Sequence, residues 1–217
     1  MTRFKLIVFD WDGTLMDSAA AIVAAIQAGC RDLSIEPPSD ATARHIIGLG
    51  LTEALQVVLP ELPASRYPVL VERYRHHFLA HDEELVLFEG VSDMLEALTD
   101  AGHLLGVATG KSRRGLDRAL AESGLAAFFQ GTRCVDECHS KPHPQMLQQL
   151  MAEFDTSPGS TLMIGDTTHD LMMARNAGVA ALAVAYGAHP RAELLAEEPL
   201  YCAENVSELR TWLIRHA

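Results

Sequence analysis

The sequence is short of positive charge. Its 17 lysines and arginines stand against 29 aspartates and glutamates, which gives a formal net charge of −12. Such a balance provides no broad attraction to the phosphate backbone of nucleic acid or to an anionic lipid surface. We therefore expect neither nucleic acid nor a membrane as a partner, and any anionic substrate must be held by a local group of polar side chains.

Cysteine is scarce, and long hydrophobic runs are missing. Four cysteines in 217 residues are typical of reduced thiols, whereas a disulfide-held secreted domain is smaller and denser in cysteine. The longest apolar stretch, residues 177–188, is interrupted by glycines and is shorter than the ~20 residues that a helix needs to cross a bilayer. The N-terminal apolar run contains Lys5 and ends at Asp10, unlike a secretion signal. A cytoplasmic location is the resulting expectation.

The apolar residues that are present form an alternating pattern. Hydrophobic residues make up 48% of the chain, enough for one α/β domain with an insertion or for two small domains. Short apolar runs predict strands buried on both faces of a parallel sheet, and helical patterns lie between them. The alternation predicts a doubly wound, Rossmann-like α/β fold with helices on both faces, whose ligands bind beyond the carboxyl ends of the strands. The predicted strands are 4–9, 104–108, 161–164 and 181–184, and the predicted helices are 91–101, 112–123, 144–153 and 168–177.

A long segment after the first predicted strand carries helical patterns and no strand. It is too long for a single crossover, and its first helix follows Ser18, a residue type that favours the N-cap position. We therefore predict an all-α cap domain over residues 16–83, inserted into a core made of residues 1–15 and 84–217. The predicted cap helices are 19–33, 52–59 and 65–80.

Two pairs of acidic residues follow predicted strands. Asp10 and Asp12 stand in Asp-Trp-Asp-Gly-Thr, where Gly13 allows the backbone a tight departure. Alone, this pattern also suits an ordinary turn or part of a calcium loop, but the twelfth position from Asp10 is Ala21 where a calcium loop has an acid. Asp166 and Asp170 begin a predicted helix, where N-terminal capping would explain one of them. Together the four acids offer the oxygen ligands that Mg²⁺ prefers.

Two more residues are of types that bind an anionic group. Thr109 ends a predicted strand just before a helix, where a hydroxyl and free backbone N–H groups attract anions. Lys141, next to Pro142, supplies a cation. Either residue alone is ordinary, but the ordered set of acids, threonine and lysine indicates phosphoryl transfer.

The order Asp-Xaa-Asp-Gly-Thr, then Thr, then Lys-Pro, then Gly-Asp-Xaa-Xaa-Xaa-Asp resembles the haloacid dehalogenase superfamily. It is similar to the subgroup that contains phosphoglycolate phosphatases and β-phosphoglucomutases, and the helical segment matches that subgroup's cap in placement. The resemblance covers residues 4–16 and about 85 to the C-terminus. It implies a nucleophile (Asp10), a general acid/base (Asp12) and phosphate contacts (Thr109 and Lys141). It also implies Mg²⁺ held by Asp10, Asp166 and the backbone carbonyl of Asp12, with Asp170 supporting the metal site.

The resemblance implies a Mg²⁺-dependent phosphatase that acts on a small phosphorylated metabolite, phosphoglycolate-like or a sugar phosphate, through an aspartyl-phosphate. The acid at Asp12 favours phosphate over halide chemistry. A phosphoglucomutase-type phosphotransferase is the alternative, although the cap loop at residues 47–52 is closer to that of the phosphatases. Gly110 stands where many phosphoglycolate phosphatases carry Asn, which weakens the case for that one substrate. A receiver-like signalling module and a non-catalytic binding protein are less favoured. The residues expected to contact substrate are Gly48, Leu49, Gly110 and Lys111.

Overall fold

The protein contains a six-stranded parallel sheet, seen in a computed structural model that describes residues 4–80 and 85–217. The strands are β1 (Leu6–Phe9), β2 (Leu104–Thr109), β3 (Gly131–Cys134), β4 (Thr161–Gly165), β5 (Ala180–Val184) and β6 (Tyr201–Ala203). Their order in the sheet is β3-β2-β1-β4-β5-β6, so the first strand lies at the centre, between β2 and β4. The predicted Rossmann-like α/β fold with an all-α insertion is confirmed.

Helices cover both faces of the sheet. Alternate residues of β1 enter opposite hydrophobic clusters, Ile7 and Phe9 on one face and Leu6 and Val8 on the other, which is why the strand is an unbroken apolar run. No helix in the described ranges 4–80 and 85–217 has the length and apolar character that a membrane span requires. The core helices are α5 (Val91–Asp100), α6 (Arg113–Ser123), α7 (Gln145–Glu153), α8 (Thr168–Ala177), α9 (Arg191–Ala196) and α10 (Val206–His216).

The insertion between β1 and β2 has a hydrophobic cluster of its own. Ile26, Leu55 and Leu70 are among its fully buried members, so these helices pack on one another as well as on the core. The proposed boundary between cap and core at residues 83 and 84 lies outside the described residues and stays a prediction. The helices are α1 (Ala19–Asp32), α2 (Asp40–His45), α3 (Leu51–Val58) and α4 (Tyr67–Ala80), the last preceded by a 3₁₀ turn at Ala64–Arg66.

Several elements are present that the sequence patterns did not predict. Strands β3 and β6 form the two edges of the sheet; β3 has half-buried Thr132 and Arg133 at its centre, and β6 is only three residues long. Neither therefore has the buried apolar run by which the inner strands were identified. Helices α2 and α9 are six residues each, too short to show a clear helical period, and α10 was also not predicted.

Candidate active site

Parallel strands bring three buried carboxylates together. Phe9 of β1 is in register with Ile164 of β4, so the loops after these strands leave the same edge of the sheet. One oxygen each of Asp10, Asp166 and Asp170 lies within 4.8 Å of the others, and all three residues are buried. These three carboxylates are called the acidic cluster below.

Lys141 is the counter-ion of the acidic cluster. Its Nζ lies 2.7 Å from Asp10 Oδ1 and 2.7 Å from Asp170 Oδ1, and all three side chains are almost completely inaccessible to solvent. Burial acts to lower the pKa of the ammonium group, but Asp10 and then Asp170 outweigh it and raise the pKa of Lys141 above its ordinary value. Lys141 is therefore positively charged and is held between the Asp10 and Asp170 carboxylates.

Asp166 is held by groups from two other loops. Its Oδ1 accepts a hydrogen bond from Thr14 Oγ1 at 2.8 Å, and its Oδ2 accepts one from the backbone N–H of Ala188 at 2.8 Å. Burial, and next the charge of Asp170, raise the pKa of Asp166 to about 7. Gly13 is left-handed, with φ of +79°, and a Cβ at this position would collide with the Asp166 carboxylate. The tight departure predicted at Gly13 thus also makes room for Asp166.

Asp170 caps α8 with one carboxylate oxygen and contacts Lys141 with the other. Its Oδ2 accepts hydrogen bonds from the backbone N–H and the hydroxyl of Thr167, at 3.1 and 2.7 Å. The bond from the backbone N–H belongs to a capping box at the start of α8, in which the Thr167 side chain faces the Asp170 N–H. Its Oδ1 contacts Lys141. The helix start therefore fixes Asp170, and Asp170 in turn fixes the lysine.

One carboxylate oxygen of Asp10 is buried without a hydrogen-bond partner among the described residues. Burial raises the pKa of Asp10 well above its ordinary value; Lys141 opposes this, and the charges of Asp170 and Asp166 add to it. Its Oδ2 is buried and has no hydrogen-bond partner among residues 4–80 and 85–217. Three acids share one ammonium group, so a dication that prefers carboxylate oxygen fits this set of donors in both charge and chemistry.

Asp12 lies apart from the acidic cluster and faces different partners. Its Oδ1 accepts a hydrogen bond from Ser18 Oγ at 2.7 Å and lies 3.1 Å from Lys111 Nζ. Ser18 precedes α1 with helical φ and ψ, and its side chain makes no capping hydrogen bond. Ser18 therefore occupies the predicted N-cap position, but its hydroxyl binds Asp12 and does not cap the helix. The structure does not place the Asp12 carboxylate with the predicted metal ligands.

The loop after β2 forms one wall of the site. Thr109 is buried at the end of the strand, and its hydroxyl oxygen accepts a hydrogen bond from the Lys111 N–H at 3.2 Å. A Cβ at Gly110 would lie only 2.6 Å from the carbonyl oxygen of Gly48 and would also collide with that of Leu49. The absence of a side chain at Gly110 therefore lets the cap loop rest against the core.

A cavity of about 860 Å³ separates the insertion from the edge of the sheet. Lys141, Asp166 and Asp170 lie beneath its surface, whereas apolar side chains of the insertion and cations of α6 complete its walls. The cavity thus brings together most of the predicted site residues. Its lining includes Asp10, Asp12, Gly48, Leu49, Thr109, Gly110 and Lys111, with Ile26, Ile47, Phe78, Arg114 and Arg118.

Comparison with known proteins gives a consistent result. The family model described as haloacid dehalogenase-like hydrolase matches residues 7–184. A probable phosphatase, IndB, of Dickeya dadantii is 36% identical over 210 residues, which cover 94% of this chain and 91% of IndB. The pyrophosphatase PpaX of Bacillus mycoides is 29% identical over 215 residues, covering 98% of each chain. The crystal structure of a predicted phosphoglycolate phosphatase from Haemophilus somnus superposes with a TM-score of 0.84 at 24% identity, over 97% of this chain and 98% of the other, and so agrees in fold.

Proposed function

Because the chain belongs to the haloacid dehalogenase-like hydrolase family, we propose that it hydrolyses a phosphate monoester through a phosphorylated Asp10 and uses Mg²⁺ as its cofactor. One observation carries the proposal. The buried Asp10 carboxylate lines the cavity, is held through Oδ1 by Lys141, and keeps an Oδ2 that has no hydrogen-bond partner among the described residues.

Asp10 acts as the nucleophile in the first half of the reaction. A carboxylate oxygen attacks phosphorus, the new oxygen–phosphorus bond forms, and the bond to the leaving alcohol breaks. Covalent catalysis of this kind divides one difficult displacement into two easier ones. Lys141 and Thr109 contact the phosphoryl oxygens, where the transferring group spreads its negative charge.

Asp12 acts first as the general acid and then as the general base. It gives a proton to the departing alcohol oxygen and then takes one from the water that attacks the phosphorylated Asp10, which releases phosphate and restores the free carboxylate. Ser18 and Lys111 both bind Oδ1 of Asp12, so Oδ2 is the oxygen that carries the proton. The two acids of the first motif therefore have different tasks because they have different neighbours.

Asp10 and Asp166 would hold Mg²⁺, with the backbone carbonyl of Asp12, while Asp170 keeps Lys141 in place. When bound, the ion supplies positive charge that reduces repulsion between a carboxylate nucleophile and the phosphoryl oxygens. Thr14 and the Ala188 N–H orient Asp166 for this role.

A small phosphorylated acid or a sugar phosphate is the substrate class that we propose. The cavity of about 860 Å³ lies within the range of sites that enclose a small organic ligand, and Lys111 and Arg114 line it as positively charged groups. The cap loop at residues 47–52, Ile-Gly-Leu-Gly-Leu-Thr, has none of the arginine and serine expected of a phosphoglucomutase, which favours hydrolysis. A cytoplasmic location stays a prediction.

A phosphate-release screen tests this proposal. The purified full chain is incubated with a generic aryl phosphate and with a panel of small phosphometabolites, in Mg²⁺ and in EDTA. We expect Mg²⁺-dependent release of inorganic phosphate, and acid quenching should trap phosphate on the peptide that contains Asp10. Asp10→Asn should abolish both signals, while Asp93→Asn, at an exposed site on α5, should change neither.

The outcomes separate the alternatives. Release that survives in Asp10→Asn would show another nucleophile, and no release from any ester would contradict an active phosphatase. Conversion of one sugar phosphate isomer into another, without net release, would identify the phosphotransferase instead.

A further inference from the structure

Three histidines meet where the cap rests on the core, outside the cavity lining described above. His45 is the last residue of α2 in the cap, His169 lies in the first turn of α8, and His189 follows β5. The rings of His45 and His189 are stacked, with centroids 4.8 Å apart and planes 9° apart, and the His169 ring lies 5.2 Å from that of His189. Glu193 of α9 places Oε2 3.6 Å from His45 Nδ1.

We propose that His45, His189 and Glu193 form a binding site for a borderline transition-metal dication, represented by Zn²⁺, that ties the cap to the core. One ligand atom from each residue lies within 4.8 Å of the others. In a tetrahedral zinc site the edge between two nitrogen or oxygen ligands is roughly 3.4 Å. The 3.6 Å between His45 Nδ1 and Glu193 Oε2 is close to that edge. Because the His45 ring is stacked parallel to that of His189, the exposed His45 ring must turn for the two nitrogens to point to one ion.

The donor atoms determine the class of metal. Two imidazole nitrogens and one carboxylate oxygen suit Zn²⁺ and neighbouring transition metals, whereas Mg²⁺ prefers oxygen ligands alone. The acidic cluster of Asp10, Asp166 and Asp170 offers only oxygen. The two sites are therefore chemically distinct although both lie near the same edge of the sheet.

Both ring nitrogens of the buried histidine, His189, make hydrogen bonds. Its Nδ1 accepts from the backbone N–H of Thr168 at 3.2 Å. Its Nε2 now donates to the carbonyl oxygen of His45 at 3.1 Å. If Nε2 binds a metal, its proton moves to Nδ1. Nδ1 then donates to the Thr168 hydroxyl oxygen 3.3 Å away, and the Thr168 backbone N–H gives up the hydrogen bond that it now makes to Nδ1.

The carbonyl oxygen of His45, which would lose its hydrogen bond from His189 Nε2 when a metal binds, has a second donor. The His45 carbonyl also accepts from His169 Nε2 at 2.9 Å, so it stays satisfied when His189 turns to the metal. The His45 and Glu193 side chains are 57% and 48% exposed, which gives an ion a path from solvent. His45 belongs to the cap, and the other two ligands belong to the core, so a bound ion joins the two.

Metal titration of the full chain tests the site. Zn²⁺ is added under saturating Mg²⁺, which occupies carboxylate-only sites, and binding is followed by calorimetry. Cu²⁺ electron paramagnetic resonance then reports whether nitrogen ligates the metal. We expect one equivalent to bind with nitrogen coupling, and His45→Gln and Glu193→Gln each to weaken binding by more than about 10-fold. These readouts do not need turnover and are also expected in Asp10→Asn.

The control is His143→Gln, because the rings of His139 and His143 form another exposed pair, 4.5 Å apart. This variant should bind like the unmodified chain. Equal binding by the unmodified chain, His45→Gln and Glu193→Gln would overturn the proposal. So would a copper spectrum without nitrogen coupling, loss of binding in His143→Gln, or no binding at all.

Discussion

Two sides of the cavity, called here its floor and its roof, are built in different ways. The floor consists of Asp10, Asp166, Asp170 and Lys141, which are all nearly inaccessible to solvent and are held by an ion pair, hydroxyls and backbone N–H groups of the core. The roof is the cap loop at residues 47–52, which approaches the core by backbone contact and single hydrogen bonds.

Two contacts illustrate how the roof is attached. The Gly50 N–H donates to Ser140 Oγ at 2.9 Å, and the Gly110 backbone leaves just enough space for the carbonyls of the cap loop. The charged groups are thus held in the core, and we propose that the groups on the cap loop select the substrate. Changes in the floor should alter kcat and metal binding, and changes in the roof should alter KM.

The largest effect is expected for Lys141→Met, in the floor. Removing the ammonium group leaves Asp10 and Asp170 buried without a counter-ion, which should lower the unfolding free energy by about 3–5 kcal/mol. The loss of a phosphoryl contact should lower kcat by about 10²–10³-fold. Chemical denaturation in EDTA and steady-state kinetics measure the two effects.

Lys111→Met is the comparison for that variant. Lys111 pairs with Asp12, and both side chains keep some exposure to solvent, so we expect a smaller loss of stability. If Lys141→Met unfolds at the same denaturant concentration as the unmodified chain, then Asp10 and Asp170 are not both charged beside the lysine.

Gly13→Ala is expected to have the next largest effect. A side chain there must adopt a left-handed conformation, which costs about 1–2 kcal/mol, and its Cβ collides with the Asp166 carboxylate. We expect a lower melting temperature and the loss of most of the stabilisation that Mg²⁺ gives. Thermal melts with and without Mg²⁺ measure both quantities.

Gly102→Ala is the control that separates the collision with Asp166 from the cost of a left-handed backbone. Gly102 is also left-handed, with φ of +87°, but no atom lies within 4 Å of its would-be Cβ. It should share the backbone cost and keep the full response to Mg²⁺. A normal Mg²⁺ response in Gly13→Ala would remove Asp166 from the set of metal ligands.

Gly110→Ala tests the contact between roof and core. The added methyl group meets the carbonyls of Gly48 and Leu49, so the cap loop must move outward. We expect KM to rise by about 10-fold, equivalent to about 1.4 kcal/mol of substrate binding, with a smaller change in kcat. Gly159→Ala, with open space around its Cβ, is the control. A fall in kcat at constant KM in Gly110→Ala would instead show that Gly110 acts with the reacting groups of the floor.

Ser140→Ala should have the smallest effect. It removes the acceptor of the Gly50 N–H, a hydrogen bond whose net contribution is about 1 kcal/mol. KM should rise by no more than about 5-fold, and Ser140→Thr, which keeps the hydroxyl, should restore the original value. Steady-state kinetics on the ester preferred in the screen measure this change, and a larger loss in kcat would show that the serine acts on the reacting groups.

The sequence predicted the floor better than the roof. Asp10 and Asp166 could be placed together because each follows an apolar run, and such runs become adjacent parallel strands. The capping box that fixes Asp170 was also visible in its position at a helix start. The ion pair between Lys141 and Asp170 could not be predicted, because it depends on the path of a loop that has no periodic pattern.

The other missed features have the same physical origin. Ser18 stands where an N-cap is expected, but tertiary structure brings its hydroxyl to Asp12, and local propensity does not register such a contact. His45, His169 and His189 come from three distant segments, so no spacing rule could group them. Strand β3 was not predicted because Thr132 and Arg133 at its centre are polar, and β6 was not predicted because it has only three residues.

The shared acceptor at His45 gives the protein a natural reporter of cap motion. Its carbonyl oxygen receives the ring N–H groups of both His169 and His189, so lifting α2 breaks both hydrogen bonds in the same event. The imidazole resonances of these two side chains should therefore exchange at one common rate in nuclear magnetic resonance spectra. Opening could then be timed in the unlabelled chain, without attaching a fluorophore to either half.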